Sequence, residues 1–144
     1  MSVDFLDSNV FVYLFDDVDP VERGVADCLV SGALASGRAV VSYQVVHEVL
    51  NIVTRKLGAS KDDARRFLGA VLDPLWRIGP SAELYGVALA VRGRYDFSFY
   101  DALIVASALA VGCTRLLSED LQHGQIIGDL TIVDPFTTAA SSGV

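Results

Sequence analysis

Four carboxylates stand out for their surroundings rather than their number. Asp101 is the only charge among the eighteen residues between Asp96 and Arg115, in "DFSFYDALIVASALAVGCTR". Asp7 follows the short apolar run "VDFL" (3–6), and Asp120 comes just after a second such run, "TRLLS" (114–118). Glu48 sits in "SYQVVHEVLNIVTRKLG", where apolar and polar positions alternate with helical spacing. Each acid alone has a plain structural role. Asp7 can cap a helix, Asp101 can gain about 0.3–1 kcal/mol from a helix N-terminus, Asp120 can start a turn, and Glu48 can face water. Gathered within a few ångströms, the four would raise one another's pKa and destabilise the fold unless a cation neutralised them. Oxygen donors of this kind suit Mg²⁺ or Mn²⁺. Such ions orient and acidify a water and stabilise charge on an attacked phosphate. The chemistry indicated is metal-dependent phosphodiester hydrolysis, and no serine–histidine–acid arrangement competes with it.

Elements that could bring these acids together are legible along the chain. "VDFL" reads as a strand, with a helix starting after Asp7. Asp19-Pro20 opens a helix to about Ser36. "RAVVS" (38–42) is a second strand, and residues 43–57 form an amphipathic helix that Gly58 ends. Its apolar side is Val45, Val46, Val49, Leu50, Val53 and Leu57; Gln44, Glu48, Asn51 and Arg55 form its polar stripe. Ser60 with Asp63 resembles a capping box and begins a helix that Pro74 is expected to break at about Leu72. "LWRI" (75–78) is a candidate strand, and Ser81 to Arg94 a helix. Ser98 caps a further helix to Gly112 with Asp101 at its N3 position; "TRLLS" and "LTIVD" (130–134) are the last strands. Strands alternating with helices predict an α/β/α sandwich around a parallel sheet of four to five strands. Such a sheet would carry all four acids to its carboxyl edge.

Composition bounds the classes of function. At 144 residues, 52% hydrophobic and 20% charged, the chain suits one globular domain over 1–136, with the small polar "TTAASSGV" (137–144) as a tail. The apolar stretch Ala102–Cys113 spans twelve residues, short of the about 20 a membrane helix needs. The opening residues lack the features of a secretion signal, and Cys28 and Cys113 read as buried free thiols, so a cytoplasmic setting is expected. A net charge of −7 argues against holding nucleic acid by overall electrostatics. Yet Arg55, Lys56, Lys61, Arg65 and Arg66 fall within twelve positions opposed only by Asp62 and Asp63. That cluster is either a solvated helix face or a phosphate-contacting patch. His123 is read as a surface histidine, and His47, next to Glu48 on the helix, points roughly 100° away from it, so neither is placed in the site.

Four segments in order, "FLDSNVFVYLF", "SYQVVHEVLNIVTRKLG", "SFYDALIVASALAVGC" and "RLLSEDLQHGQ", resemble the PIN-domain ribonucleases, in particular the VapC-type toxins of bacterial toxin–antitoxin pairs. The resemblance covers about residues 3–135. It implies a PIN-like fold in which Asp7, Glu48, Asp101 and Asp120 bind Mg²⁺ or Mn²⁺ and drive endonucleolytic cleavage of RNA. It implies supporting roles for Ser8, Asn9 and Ser118. Glu119 and Asp120 are adjacent acids at the last motif, and the family register assigns Asp120. The resemblance further implies a homodimer and a small cognate antitoxin as partner. Arg55, Lys56, Arg65 and Arg66 are then candidates for RNA backbone contacts.

Other classes fit less well. A phosphoacceptor receiver domain needs a lysine near its last strand, and none follows Lys61. A haloacid-dehalogenase-like phosphatase needs Asp-x-Asp after the first strand, where Asp7-Ser8-Asn9 stands. A non-catalytic PIN-like interaction module would be expected to lose acids that are all present, and a housekeeping RNA-processing nuclease differs from a toxin by lacking an antitoxin.

Overall fold

The computed structural model describes residues 2–137. Strand β1 (Asp4–Leu6) leads into the short helix α1 (Ser8–Val12), a 3₁₀ turn at Tyr13–Phe15 and the long helix α2 (Pro20–Ser36). Strand β2 (Ala39–Ser42) runs directly into α3 (Tyr43–Arg55). Helix α4 (Lys61–Phe67) continues through a π turn at Leu68–Leu72 into α5 (Asp73–Leu75), followed by β3 (Trp76–Ile78). Helices α6 (Ala82–Arg94) and α7 (Phe99–Ala110) precede β4 (Arg115–Leu117), β5 (Ile126–Ile127) and β6 (Leu130–Val133).

The sheet order is β3-β2-β1-β4-β6-β5. Every neighbouring pair is parallel except β5–β6. The α/β class with a central, mostly parallel sheet is therefore as expected, but there are six strands rather than four or five. The extra strand is β5, two residues long and joined to β6 by a turn at Gly128, whose φ of 61° favours glycine. Two residues carry no periodic signal, so nothing in the sequence marks it. A second expectation also fails: Pro74 does not break the helix before it. It lies in the first turn of α5, just past the π turn at Leu68–Leu72, which takes up the change in winding.

Chain chemistry explains the other boundaries. Ser60, Ser81 and Ser98 each accept a hydrogen bond from the backbone N–H three residues on, capping α4, α6 and α7. Past the end of α3, Gly58 adopts φ 70°, and the Ala59 N–H turns back to the Val53 carbonyl at 2.9 Å. Helix α7 buries seven consecutive residues, Ala102 to Ala108, which is why that stretch reads as apolar on every side. Against it lies a core of Phe5, Leu6, Val10, Phe11, Leu116 and Ile132 from the sheet and α1, with Val45, Val49 and Val53 from α3. Cys113 is buried, as expected, and burial pushes its thiol up to about 12; Cys28, expected buried, is exposed on α2. No helix among the described residues is long and apolar enough to cross a membrane. Of the tail at 137–144, Thr137 hydrogen-bonds to Asp134, and 138–144 lie outside the described residues.

Candidate active site

The parallel strands β1 and β4 end side by side, with the Asp7 N–H donating to the Leu117 carbonyl at 3.0 Å. The chain leaves β1 at Asp7, whose extended backbone (φ −78°, ψ 166°) makes it the N-cap of α1. The residue is 6% exposed. Oδ1 accepts from the Ser8 N–H at 2.8 Å and Oδ2 from the Ser118 hydroxyl at 2.7 Å. Burial pushes the Asp7 carboxyl up to about 6, and the charges of Glu48 and Asp120 add to the rise; the two hydrogen bonds oppose it without cancelling it.

The neighbouring acids are held by short polar side chains. The Ser8 hydroxyl donates to Glu48 Oε2 at 2.9 Å, tying α1 to α3. Asn9 Nδ2 donates to Asp120 Oδ2 at 3.2 Å and reaches the Ser118 hydroxyl at 3.4 Å. The Ser118 oxygen in turn accepts from the Asp120 N–H at 3.2 Å. Ser118 is thus the hub of the loop after β4: it donates to one acid and positions the backbone of another.

The two adjacent acids part company. Glu119 receives the Tyr13 hydroxyl at 2.9 Å, away from Asp7. Burial raises its pKa and that hydrogen bond lowers it, while Asp120, Asp134 and Glu22 add repulsion. Asp120 is the one drawn toward Asp7 through Asn9 and Ser118.

The structure therefore brings together Asp7, Glu48, Asp120, Ser8, Asn9 and Ser118. Asp101 comes from a further element: half-buried in the first turn of α7, it has its N–H bound to the Ser98 hydroxyl at 3.1 Å. What ties its turn to the others is Gln44, four residues before Glu48, whose Nε2 donates to the Tyr100 carbonyl at 3.1 Å. Among the described residues, no group of three His, Cys, Asp or Glu side chains lies close enough together to hold a metal ion as placed. The donor set nonetheless suits a hard divalent ion: oxygen-only, with a buried carboxylate and two acids repelling it.

Arg55 and Lys56 end α3, and Arg65 and Arg66 lie on α4, all exposed. Arg66 pairs with Asp63. An apolar groove lined by Leu50, Ala59, Ala64 and Leu68 runs between the two helices. His123 is exposed and accepts the Asp134 N–H at 2.9 Å; His47 packs edge-on against Tyr43.

A PIN-domain family model matches residues 5–127. The chain belongs to the PIN-domain family. Solved structures with the same fold include a toxin–antitoxin complex from Klebsiella pneumoniae, with a TM-score of 0.69 and 20% identity over 92% of this chain and 97% of that one. Another is the sarcin–ricin-loop-cleaving toxin VapC20 of Mycobacterium tuberculosis, at 0.62 and 21% over 78% and 86%. A third is VapBC2 of Rickettsia felis bound to a DNA fragment from its promoter, at 0.64 and 17% over 90% and 96%. Comparison with curated protein sequences finds no match.

Two residues that shape this PIN-domain site were not singled out from sequence. Tyr13 fixes Glu119, and its spacing from the first acid carries no motif. Gln44 reads from sequence as a member of the polar stripe of α3, whereas it is 6% exposed, with its amide bound to the first turn of α7. A polar residue in register with Glu48 gives no sign of burial until α7 is known to cross it.

Proposed function

We propose that this chain is a metal-dependent endoribonuclease, acting as the toxin of a toxin–antitoxin pair. The observation that carries the reading is Asp7: a PIN-domain carboxylate buried at the carboxyl edge of a parallel sheet, raised to about 6, with Glu48 and Asp120 charged beside it. An anionic cluster of that kind is stable at neutral pH when a cation shares it.

Asp7, Glu48, Asp101 and Asp120 are the residues that would hold Mg²⁺ or Mn²⁺. When bound, such an ion supplies an activated water and neutralises charge developing on the attacked phosphodiester. The chain's own polar groups prepare the acids for this. Ser118 and the Ser8 N–H fix the Asp7 rotamer, one donor to each oxygen. Ser8 orients Glu48, and Asn9 keeps Asp120 turned inward. Gln44 holds the first turn of α7, with Asp101, against α3 near Glu48. Asp7 caps α1, Glu48 and Asp101 sit on α3 and α7, and Asp120 lies in the loop after β4 that Ser118 and Asn9 tie to the end of β1.

RNA is the proposed substrate, guided along α3 and α4 by Arg55, Lys56, Arg65 and Arg66. The solved relatives described as toxin–antitoxin complexes support a small antitoxin as the proposed protein partner. A homodimer in the cytoplasm completes the proposal.

The deciding experiment is cleavage of an RNA panel by purified protein with Mg²⁺ or Mn²⁺, with chelator, and by Asp101→Asn and Asp7→Asn. Cleavage should require the ion and be lost in both variants. Equal cutting by wild type and variants, or no effect of chelator, would refute metal-dependent hydrolysis at this site.

A further inference from the structure

Three of the chain's five tyrosines border one pocket, together with Phe99 and His47. This cavity of about 410 Å³ lies between the start of α3, α6 and the first turn of α7, in the size range of small-molecule sites. Tyr100, 70% exposed, directly precedes Asp101; His47, also exposed, directly precedes Glu48. The rings form two contacting sets: Tyr43 with His47 at 5.6 Å, and Phe99 with Tyr85 at 6.4 Å and with Tyr100 at 5.9 Å. Single exposed rings are ordinary. A ring beside each of two site acids, both opening on the same pocket, is not explained by the core, which they do not enter.

Gln44 also lines this pocket. Its Nε2 donates to the Tyr100 carbonyl at 3.1 Å and so fixes the backbone beside the Tyr100 ring. A ligand with a flat, stackable face suits rings placed this way, and a nucleobase has one.

Resting on the ribonuclease reading above, we infer that this pocket takes one unstacked base of single-stranded RNA, with Tyr100 and His47 as stacking surfaces. The base sits at the α3 N-terminus, the scissile phosphate at the acids, and the onward strand along α3 toward Arg55 and Lys56. From Glu48 to Arg55 is seven residues, or about 10 Å of helix rise, so all three stations lie on one short track. Recognition of a splayed base by aromatic rings is the usual way single-stranded RNA is held at a defined register.

The test is equilibrium binding of fluorescent single-stranded RNA oligonucleotides in chelator, where no cleavage occurs, using wild type, Tyr100→Ala, Tyr100→Phe and His47→Ala. A set of oligonucleotides each carries one abasic position. Tyr100→Ala should weaken binding by about fivefold to 150-fold, while Tyr100→Phe, which keeps the ring, stays within about twofold of wild type. For one abasic position, wild type and Tyr100→Ala should bind equally, because the base that stacks is already gone. The inference is overturned if Tyr100→Ala and His47→Ala bind intact RNA as wild type does. It is also overturned if the loss persists at every abasic position. If instead these variants change the mass in light scattering, a second copy of the chain covers the pocket and no base enters it. Wild type that cuts RNA while the variants bind normally leaves the nuclease standing and removes only the pocket. Wild type that neither binds nor cuts RNA removes both.

Discussion

Asp7→Asn should make the metal-free protein more stable, and the gain should depend on pH. In an unfolded chain Asp7 ionises near 3.8; in the fold, burial first and then Glu48 and Asp120 raise it to about 6. The folded value lies above the unfolded one, so between these pH values the native state binds the extra proton. Stability from this group is therefore fully present below about pH 4 and is lost as pH rises through about 6. The gap corresponds to about 3 kcal/mol at pH 7.5 and above. Asparagine removes the charge but keeps an acceptor for the Ser8 N–H, while its amide can donate to the Ser118 hydroxyl. Relative to wild type, Asp7→Asn should thus gain nothing at pH 4 and up to about 3 kcal/mol at pH 7.5, or about 10 °C in melting temperature for a chain this size. Urea and thermal unfolding in chelator, from pH 4.5 to 8, measure the difference, and the other carboxylates cancel between the two proteins. Adding Mn²⁺ should then reverse the order. Wild type gains about 4.1 kcal/mol at a concentration about one thousand times its Kd, more than the lead of the variant, which itself gains little. A difference that does not change with pH, or a variant less stable than wild type at pH 8 in chelator, would refute the account of Asp7 as a carboxylate held charged against its surroundings.

The two acids after β4 should separate in cleavage assays: Asp120→Asn is expected to lower the rate at least about a hundredfold, whereas Glu119→Gln, bound to Tyr13, should leave it within severalfold of wild type. Ser118→Ala removes the donor to Asp7 Oδ2 and the acceptor for the Asp120 N–H. It should lower stability by about 1–3 kcal/mol and weaken Mn²⁺ binding in calorimetry, and unchanged metal affinity would show that Ser118 only packs. Neutralising Arg55, Lys56, Arg65 and Arg66 together should weaken RNA binding and flatten its dependence on log salt by up to about 3, at roughly 0.7 per phosphate contact on a single strand. An unchanged slope would remove the cluster from the RNA path.

The fold was legible where a residue's neighbours in sequence are also its neighbours in space. Serine caps, the Gly58 stop and the alternation of short apolar runs with helical spacing depend on residues three or four apart, and the structure repeats them closely. What could not be read is long-range or very short. The strand Ile126–Ile127 exists only because Leu130–Val133 folds back on it. Pro74 was expected to end a helix, but where it falls relative to a π turn is a matter of packing. At the site, Asp7, Glu48 and Asp120 could be nominated because acids at strand ends and on a polar stripe are visible in one dimension. Their holders were visible only by resemblance, since a serine or asparagine beside an acid has no periodic signature. Gln44 shows the limit most clearly: its spacing from Glu48 placed it correctly on one helix face, and only the crossing of α7 turned that face inward at one end.

A net charge of −7 looks ill suited to a chain that handles RNA until the charges are placed. Asp19 and Glu22 act electrostatically on Tyr13, and Glu22 and Asp134 on Glu119, so one flank of the site, beyond Asp120, is acidic. The basic residues lie at the end of α3 and along α4. Beyond about 10 Å salt screens one exposed group from another, so a phosphate at the acids responds to this local division rather than to the total. Under the ribonuclease reading, the acidic flank repels the strand and the α3–α4 side attracts it. The backbone can then leave the site in one direction only. The excess of acids is consistent with cleavage because it sets polarity: the charge that would weaken general binding to nucleic acid also stops the strand from lying across the site the wrong way.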